Sequence, residues 1–245
     1  MIFIVIPIFN EEKNIPNLYR EISQFKFDDK FCLVFSDDGS TDDTISLLNS
    51  TFKEFDFVIL GDGINRGPGY AFNMAFEWVL SNSVRKDDIV VTMESDCTSD
   101  LSILRNMIFL NKMGYDLVLA SVYAQGGGFD NTTIFRRLVS SIANLLYRFL
   151  FNIKVLTISS FYRVYSIQLI SKIKSKHKRI VEENGFICML EVLIKSISSG
   201  ANIIEVPMKL QSNRRIGKSK MKIVKTTIQY FKFLFRQKFN RSRSL

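Results

Sequence analysis

Two wholly apolar runs that end abruptly in polar and acidic residues constrain the fold of this chain more than any other feature. The first occupies residues 2–6, continues through residues 7–9 and ends at the polar Asn10. The second occupies residues 31–35 and is followed by Asp37 and Asp38. Continuous hydrophobicity is typical of strands in a parallel sheet whose two faces are both covered. The chain is therefore expected to form an α/β sheet with polar loops at the carboxyl ends of its strands.

The segment 37–44 reads Asp-Asp-Gly-Ser-Thr-Asp-Asp-Thr and opens a helical pattern. In an open α/β sheet, ligands bind outside the carboxyl ends of the strands. Thr41 or Asp42 is suited to cap the following helix. The alternative is a turn that is merely rich in good turn formers.

A third loop follows the apolar run at residues 57–60 and reads Asn-Arg-Gly-Pro-Gly-Tyr-Ala over residues 65–71. Its glycines permit close approach of the backbone to a ligand, and Pro68 is suited to the first turn of a helix. This segment is therefore predicted to be another loop of the same site.

A fourth loop follows the apolar run at residues 89–93 and carries Glu94 and Asp96. At the end of a strand, two carboxylates at this spacing can be directed at one divalent cation. Carboxylate and phosphate oxygens are the ligands that Mg²⁺ and Mn²⁺ prefer. The pair is therefore a candidate metal site.

The ordered set of these four loops resembles the family 2 glycosyltransferases of the GT-A fold. Within that family it is most similar to dolichol-phosphate mannose synthases and other polyprenyl-phosphate glycosyltransferases. That narrower similarity is carried by Arg136-Arg137-x-x-Ser140-x-x-Ala143-Asn144, Ser159 to Tyr165, Glu205-Val206-Pro207 and Arg214-x-x-Gly217-x-Ser219-Lys220. The resemblance implies a Rossmann-like, mixed and mostly parallel sheet covered by helices over residues 1–217. A basic amphipathic C-terminal helix and tail would then occupy residues 218–245.

The resemblance also implies site residues. The nucleotide-diphosphate sugar would be bound by Pro7, Phe9, Asn10, Glu11, Asp37, Asp38, Gly39, Asn65 and Gly67. Glu94 and Asp96 would hold Mg²⁺ or Mn²⁺, and the catalytic carboxylates would be Asp96 and Glu191. The phosphate of the acceptor would be bound by Arg136, Arg137, Ser140, Arg214 and Lys220.

Three positions depart from the family pattern. Glu94 replaces the first aspartate of the usual Asp-x-Asp, Val122 replaces an arginine, and Thr157 replaces an aspartate. A sugar hydroxyl therefore stays open as an acceptor, and it would require a base such as Asp100 or Glu191. A non-catalytic membrane-associated module of the same fold also stays open. A nucleotidyltransferase is disfavoured because the loop after the first strand has no glycine.

The charge of the chain is concentrated at its C-terminal end. Residues 1–205 have a net charge of −3, whereas residues 206–245 contain 12 basic and no acidic residues. The tail after Ser219 has a helical pattern with an apolar aromatic half and a basic half, which is typical of a helix in a membrane interface. The alternative is a helix packed on its own domain. Nucleic acid is an unlikely partner on sequence grounds, since no recognition motif accompanies the charge.

The three cysteines form no Cys-x-x-Cys pair, which argues against a zinc site or a disulfide framework and favours a reducing compartment. The sequence thus predicts an inverting, metal-dependent glycosyltransferase. It would lie peripherally on the cytoplasmic face of a membrane, and its acceptor would be a polyprenyl phosphate such as a dolichyl phosphate.

Overall fold

The computed structural model describes residues 1–130 and 153–217, together with residues 141, 142, 144, 145, 148, 149, 226, 229, 230, 232 and 233. Over the first half of the chain, strands and helices alternate as the sequence predicts. These elements are β1 (Ile2–Ile8), α1 (Ile15–Gln24), β2 (Phe31–Asp37), α2 (Thr44–Thr51), β3 (Phe57–Leu60), α3 (Pro68–Asn82), β4 (Ile89–Thr92), α4 (Leu104–Lys112) and β5 (Leu117–Ser121). A short 3₁₀ helix, Leu101–Ile103, precedes α4.

The second half contributes β6 (Gly128–Asp130), β7 (Arg163–Ser166), α5 (Ile167–Lys176), α6 (Cys188–Ser198), β8 (Ile203–Pro207) and β9 (Lys209–Gln211). Gly126 and Gly127 precede β6, and Gly128 begins it and pairs in parallel with Lys209 of β9. No local sequence pattern marks this strand, because its partner is distant in sequence.

One sheet of seven strands has the order β3-β2-β1-β4-β7-β5-β8. β7 is antiparallel to both of its neighbours, whereas the other pairs are parallel. The predicted mixed, mostly parallel sheet is therefore confirmed. Ile8 pairs with Asp37, and Ser36 pairs with Leu60, so the ends of β1, β2 and β3 are level at one edge.

Helices cover both faces of this sheet. Buried side chains of α1, α2 and α4 form one core cluster, and those of α3, α5 and α6 form the other. In β1, Phe3 and Val5 face the second cluster while the alternate isoleucines face the first. Both faces of β1 are thus buried, which explains its uninterrupted hydrophobicity.

The predicted start of α3 is confirmed: the helix begins at Pro68, after Gly67 with a φ of 98°. The predicted cap of α2 was wrong by one residue. Its N-cap is Asp43, which makes no side-chain cap hydrogen bond, rather than Thr41 or Asp42. The Asp42 carboxylate instead accepts the backbone N–H of Thr44 at 3.1 Å, just before the helix.

The tail is described at only five positions, all of them helical. Phe233 is 2% exposed and packs, with Tyr230, on the cluster that contains α5 and α6. Burial raises the pKa of the Tyr230 phenol. The C-terminal amphipathic helix as a whole lies outside the described residues, so the boundary between residues 217 and 218 stays a prediction. Within the described ranges, no helix is long and apolar enough to cross a bilayer.

Candidate active site

The loops after β1 and β2 are tied together by side-chain hydrogen bonds. The backbone N–H of Asn10 donates to the Ser40 hydroxyl at 2.9 Å, and that of Thr41 donates to the Asn10 side-chain oxygen at 2.7 Å. The N–H of Glu11 donates to the Thr44 hydroxyl at 2.7 Å. Asn10 has a φ of 52°, a left-handed conformation that asparagine tolerates better than most residues. The two polar loops therefore form one rigid rim.

Asp38 joins this rim to the loop after β3. Its carboxylate accepts the N–H of Arg66 at 2.7 Å and that of Gly67 at 2.8 and 2.9 Å. Burial raises the pKa of Asp38, and these backbone hydrogen bonds oppose the shift. The adjacent Asp37 accepts the N–H of Ser40 at 3.1 Å. Both carboxylates therefore shape the loops as well as face the edge of the sheet.

Gly39 allows these two loops to approach each other. It has a φ of 76°, and a Cβ at this position would lie 2.7 Å from the backbone nitrogen of Asn65. Arg66, which the sequence did not single out, forms an ion pair with Asp62 and lies 4.5 Å from the ring centroid of Tyr70. The nine predicted nucleotide-sugar residues all lie at the carboxyl ends of β1, β2 and β3 or in the loops that follow them, with Pro7 in β1 and Asp37 at the end of β2.

The candidate metal residues lie directly after β4. Asp96 accepts hydrogen bonds from the Thr98 hydroxyl at 2.7 Å and from the Thr98 backbone N–H at 3.2 Å. Glu94 accepts a hydrogen bond from the Ser99 hydroxyl. Burial, and then the nearby Asp96, raise the pKa of Glu94. Cys97 has a φ of 61°, so the backbone is strained at the tip of this loop.

A positive charge lies at this candidate metal site. The guanidinium of Arg215 donates to Oδ2 of Asp96. The hard carboxylate oxygens of Glu94 and Asp96 are of the type that Mg²⁺ or Mn²⁺ prefers. Among the described residues, no group of three or more His, Cys, Asp or Glu could hold a metal.

The neighbouring Arg214 has a different partner. It forms an ion pair with Glu21 of α1 at 2.5 Å, so the structure does not place it at Asp96. The other residues predicted to bind the acceptor phosphate, Arg136, Arg137, Ser140 and Lys220, lie outside the described residues. Their role stays a prediction.

Glu191 is buried rather than open to a ligand. It is 3% exposed and forms an ion pair with Lys195 at 2.7 Å. Its oxygens also accept the backbone N–H groups of Glu182 at 3.0 Å and of Glu183 at 2.8 Å. Burial raises the pKa of Glu191, and Lys195 opposes the shift. The contacts of Glu191 are those of a residue that holds the loop before α6.

The loop before α6 packs against residues 65–71, the segment that follows β3. The backbone N–H of Gly69 donates to the carbonyl oxygen of Asn184 at 2.9 Å. A Cβ on Gly69 would lie 1.7 Å from the carbonyl oxygen of Glu183. Glu191 is therefore connected to Gly69 through the backbone of residues 182–184.

At the edge of the sheet beyond β7, a glutamate lies beside the position where the family has an aspartate. The Thr157 and Ser121 hydroxyls share a hydrogen bond of 2.6 Å. Glu205 accepts the backbone N–H groups of Thr157 at 2.8 Å and of Leu156 at 2.7 Å. A carboxylate is thus supplied from β8 rather than from the 157 loop itself.

Arg163 is a further residue that the sequence reasoning did not single out. It is fully buried and donates to the carbonyl oxygens of Ser160 at 2.7 Å, Ile158 at 2.9 Å and Met189 at 2.8 Å. It therefore links the 158–160 loop to α6. An arginine at the start of an apolar strand was the available signal.

The glycosyl transferase family 2 model matches residues 3–174. The chain therefore belongs to the family 2 glycosyltransferases. It is a glycosyltransferase with the GT-A fold that its sheet topology shows.

The chain is 27% identical over 220 residues to the polyprenol monophosphomannose synthase of Mycolicibacterium smegmatis, covering 89% of this chain and 80% of that protein. It is 25% identical over 238 residues to the dolichol-phosphate mannosyltransferase of Pyrococcus furiosus, covering 95% of this chain and 62% of that protein. Among solved structures, it resembles glucosyl-3-phosphoglycerate synthase of Mycobacterium tuberculosis in complex with Mn²⁺, UDP and glucosyl-3-phosphoglycerate. That similarity has a TM-score of 0.61 and 19% identity, and covers 89% of this chain and 73% of the other.

Proposed function

We propose that this chain transfers a sugar, with inversion, from a nucleotide-diphosphate sugar to a polyprenyl phosphate. The observation that carries the donor side is that four parallel strands end at one edge of the sheet, in loops that carry Asp38 and Asp96. Two relatives named for polyprenol and dolichol phosphate support the acceptor class.

Glu94 and Asp96 would hold the divalent cation. The M. tuberculosis structure that shares the fold contains Mn²⁺ and UDP, which supports the same class of donor here. When bound, such a cation acts as a Lewis acid that neutralises charge on the departing nucleotide. The chain itself orients the donor through the joined loops after β1, β2 and β3.

The state of the remaining carboxylates favours a phosphate acceptor over a sugar hydroxyl. A hydroxyl needs a general base within reach, whereas a phosphate is already anionic. Glu191 is buried on Lys195 and on backbone N–H groups. Asp100 accepts the backbone N–H of Ser102 at 3.0 Å and so caps the 3₁₀ helix. Both candidate bases are thus engaged in holding the fold.

A row of exposed apolar side chains supports a peripheral position on a membrane. Ile142, Leu145 and Phe149 are helical residues with exposures of 58%, 65% and 83%. Their spacing of three and four puts them on one helix face. An exposed apolar face together with the strongly basic residues 206–245 is typical of attachment to anionic lipid. We place this attachment at the cytoplasmic face of the membrane, to which residues 218–245 would contribute.

A panel of UDP-sugars and GDP-sugars with Mn²⁺ tests this function. Each donor is offered with a polyprenyl phosphate, with the same polyprenol lacking phosphate, and with a soluble oligosaccharide. We expect one donor to be consumed, and only with the polyprenyl phosphate. Transfer to the oligosaccharide alone would establish the sugar-hydroxyl alternative. No turnover of any donor would indicate the non-catalytic module.

A further inference from the structure

The two residues that flank Arg215 are held by Glu21 of α1 and by Asn14, the residue before α1. Arg214 forms its ion pair with Glu21 at 2.5 Å. The backbone N–H of Ile216 donates to the Asn14 side-chain oxygen at 2.9 Å, and the Asn14 side-chain nitrogen donates to the Ile216 carbonyl oxygen at 3.2 Å. The direction of Arg215 is therefore set by contacts on both of its neighbours.

Asn14 also connects this segment to the donor loops. Its side-chain nitrogen donates to the Glu11 carboxylate at 2.6 Å, in the loop after β1. The segment 214–216 therefore lies across the end of the sheet, between α1 and the loop after β4. Arg215 reaches Asp96 from this position.

The pair of Arg215 and Asp96 is largely withdrawn from water. The two side chains are 24% and 12% exposed. The Coulomb attraction of two charges is less screened in such a place than on an open surface. A divalent cation at Asp96 would have to compete with this guanidinium for the same carboxylate.

We infer that Arg215 is a further donor-site residue that neutralises Asp96 until the nucleotide diphosphate and its cation bind together. This inference rests on the proposed function. When the cation takes Asp96, the displaced guanidinium stays beside the site because Arg214 and Ile216 remain fastened. Its planar fork then suits the oxygens of the diphosphate, which a guanidinium binds in a bidentate manner.

Two consequences follow for binding. The cation alone binds weakly, because it must displace Arg215 with nothing to receive the released charge. The cation and the nucleotide diphosphate each raise the affinity for the other, and this coupling is reciprocal. Two consecutive arginines thus have different tasks, one holding the segment and one serving the ligand.

The test measures Mn²⁺ binding to the full chain by electron paramagnetic resonance, without nucleotide and with saturating UDP or GDP. In Arg215→Met, we expect Mn²⁺ alone to bind about tenfold more tightly, which corresponds to about 1.4 kcal/mol. We also expect the gain in Mn²⁺ affinity on adding the nucleotide to fall about tenfold. The control is Arg85→Met, which removes the same charge from an exposed ion pair with Asp87 and should leave Mn²⁺ affinity without nucleotide unchanged.

The inference is overturned if Arg215→Met leaves Mn²⁺ affinity unchanged, or if Arg85→Met raises it equally, since that would indicate only a general effect of charge. Should Arg215→Met unfold, Arg215→Lys tests the coupling between the cation and the diphosphate. Lysine keeps the charge, so Mn²⁺ alone should still bind weakly, but the coupling to the diphosphate should fall. A wild-type chain that binds neither UDP nor GDP would instead contradict the proposed function.

Discussion

The donor half of the sheet, residues 1–100, and the half that follows β5 assemble their polar groups in different ways. In the donor half, β1, β2, β3 and β4 are parallel, and each ends in a loop at the same edge. In the second half, β7 runs antiparallel between β4 and β5. The polar groups of this second half contact residues that are distant in sequence. Arg163, for example, donates a hydrogen bond to the carbonyl oxygen of Met189.

The difference teaches what a carboxylate after a strand can be expected to do. Where strands are parallel, order along the chain becomes proximity at one edge, and the acids of the donor half lie at that edge. In the second half, order along the chain does not give proximity. Glu205 accepts the backbone N–H groups of Leu156 and Thr157, 49 and 48 residues away, and Glu191 is buried with Lys195.

The largest effect is expected at Glu191, where it tests whether the second half of the sheet uses this acid to hold the fold. Glu191→Gln should lower the free energy of unfolding by about 3–5 kcal/mol, because it leaves the charge of Lys195 buried without its closest partner. Urea unfolding measures this. The control is Glu182→Gln, whose carboxylate also pairs with Lys195 but is 55% exposed, and which should cost less than about 1 kcal/mol. Unchanged stability with lost transfer would restore the catalytic role of Glu191.

The next effect tests the donor half at Asp96. Asp96→Asn should reduce transfer by about 10²–10³-fold, because it removes charge where the cation would be bound without changing side-chain volume. Steady-state rates across a Mn²⁺ titration measure this, and thermal unfolding should show an intact fold. Glu94→Asp should have a milder effect, since it restores the usual family residue. Retention of most metal-dependent turnover by Asp96→Asn would contradict this role for the pair.

An intermediate effect is expected at Asp38. Asp38→Ala should cost about 2 kcal/mol of stability, because the backbone N–H groups of Arg66 and Gly67 lose their buried acceptor. It should also abolish the thermal stabilisation that a bound nucleotide gives to the native state. Asp62→Ala is the control, since Asp62 lies in the same loop region but is 43% exposed. Undiminished nucleotide stabilisation in Asp38→Ala would show that Asp38 only shapes the fold.

The smallest effect concerns the membrane. Leu145→Ser with Phe149→Ser should weaken binding to anionic vesicles about tenfold, or about 1.4 kcal/mol, because it removes exposed apolar area from one helix face. Cosedimentation measures this, and binding should also weaken with salt as the Debye length shortens to about 8 Å or less.

The matched control for the membrane prediction is Phe109→Ser with Met113→Ser. These two apolar side chains, in α4 and directly after it, are 61% and 64% exposed. The control should leave vesicle binding unchanged. Equal losses in both double variants, or no binding by the intact chain, would contradict attachment through the 142–149 face.

Sequence reasoning predicted most of what depends on local order. It predicted the sheet, the start of α3 at Pro68 and the position of the four loops at one edge, because each follows from a strand, its turn and its register. It could not predict that Arg215 rather than Arg214 reaches Asp96. That choice depends on how Asn14, the residue before α1, and Glu21 of α1 hold the segment.

The burial of Glu191 was also beyond the sequence. A single acid in an apolar helix could equally mark a site or an internal ion pair, and only the position of Lys195 and of the preceding loop decides between them. The strand pair of β6 and β9 was missed for a related reason. Three-residue strands carry too few residues to show a period, and their partners are far apart in the chain.

The sheet order also has a consequence for how the chain is made. The partners of β1 to β4 within this group are all contained in the first 92 residues, whereas β5 pairs, among the described strands, with β7 and β8 alone. Until residues 163–207 have left the ribosome, β5 keeps open edges, and such edges promote association between nascent chains. Ribosome-bound chains in which β5 has emerged but β7 has not should therefore be the most aggregation-prone form of this protein.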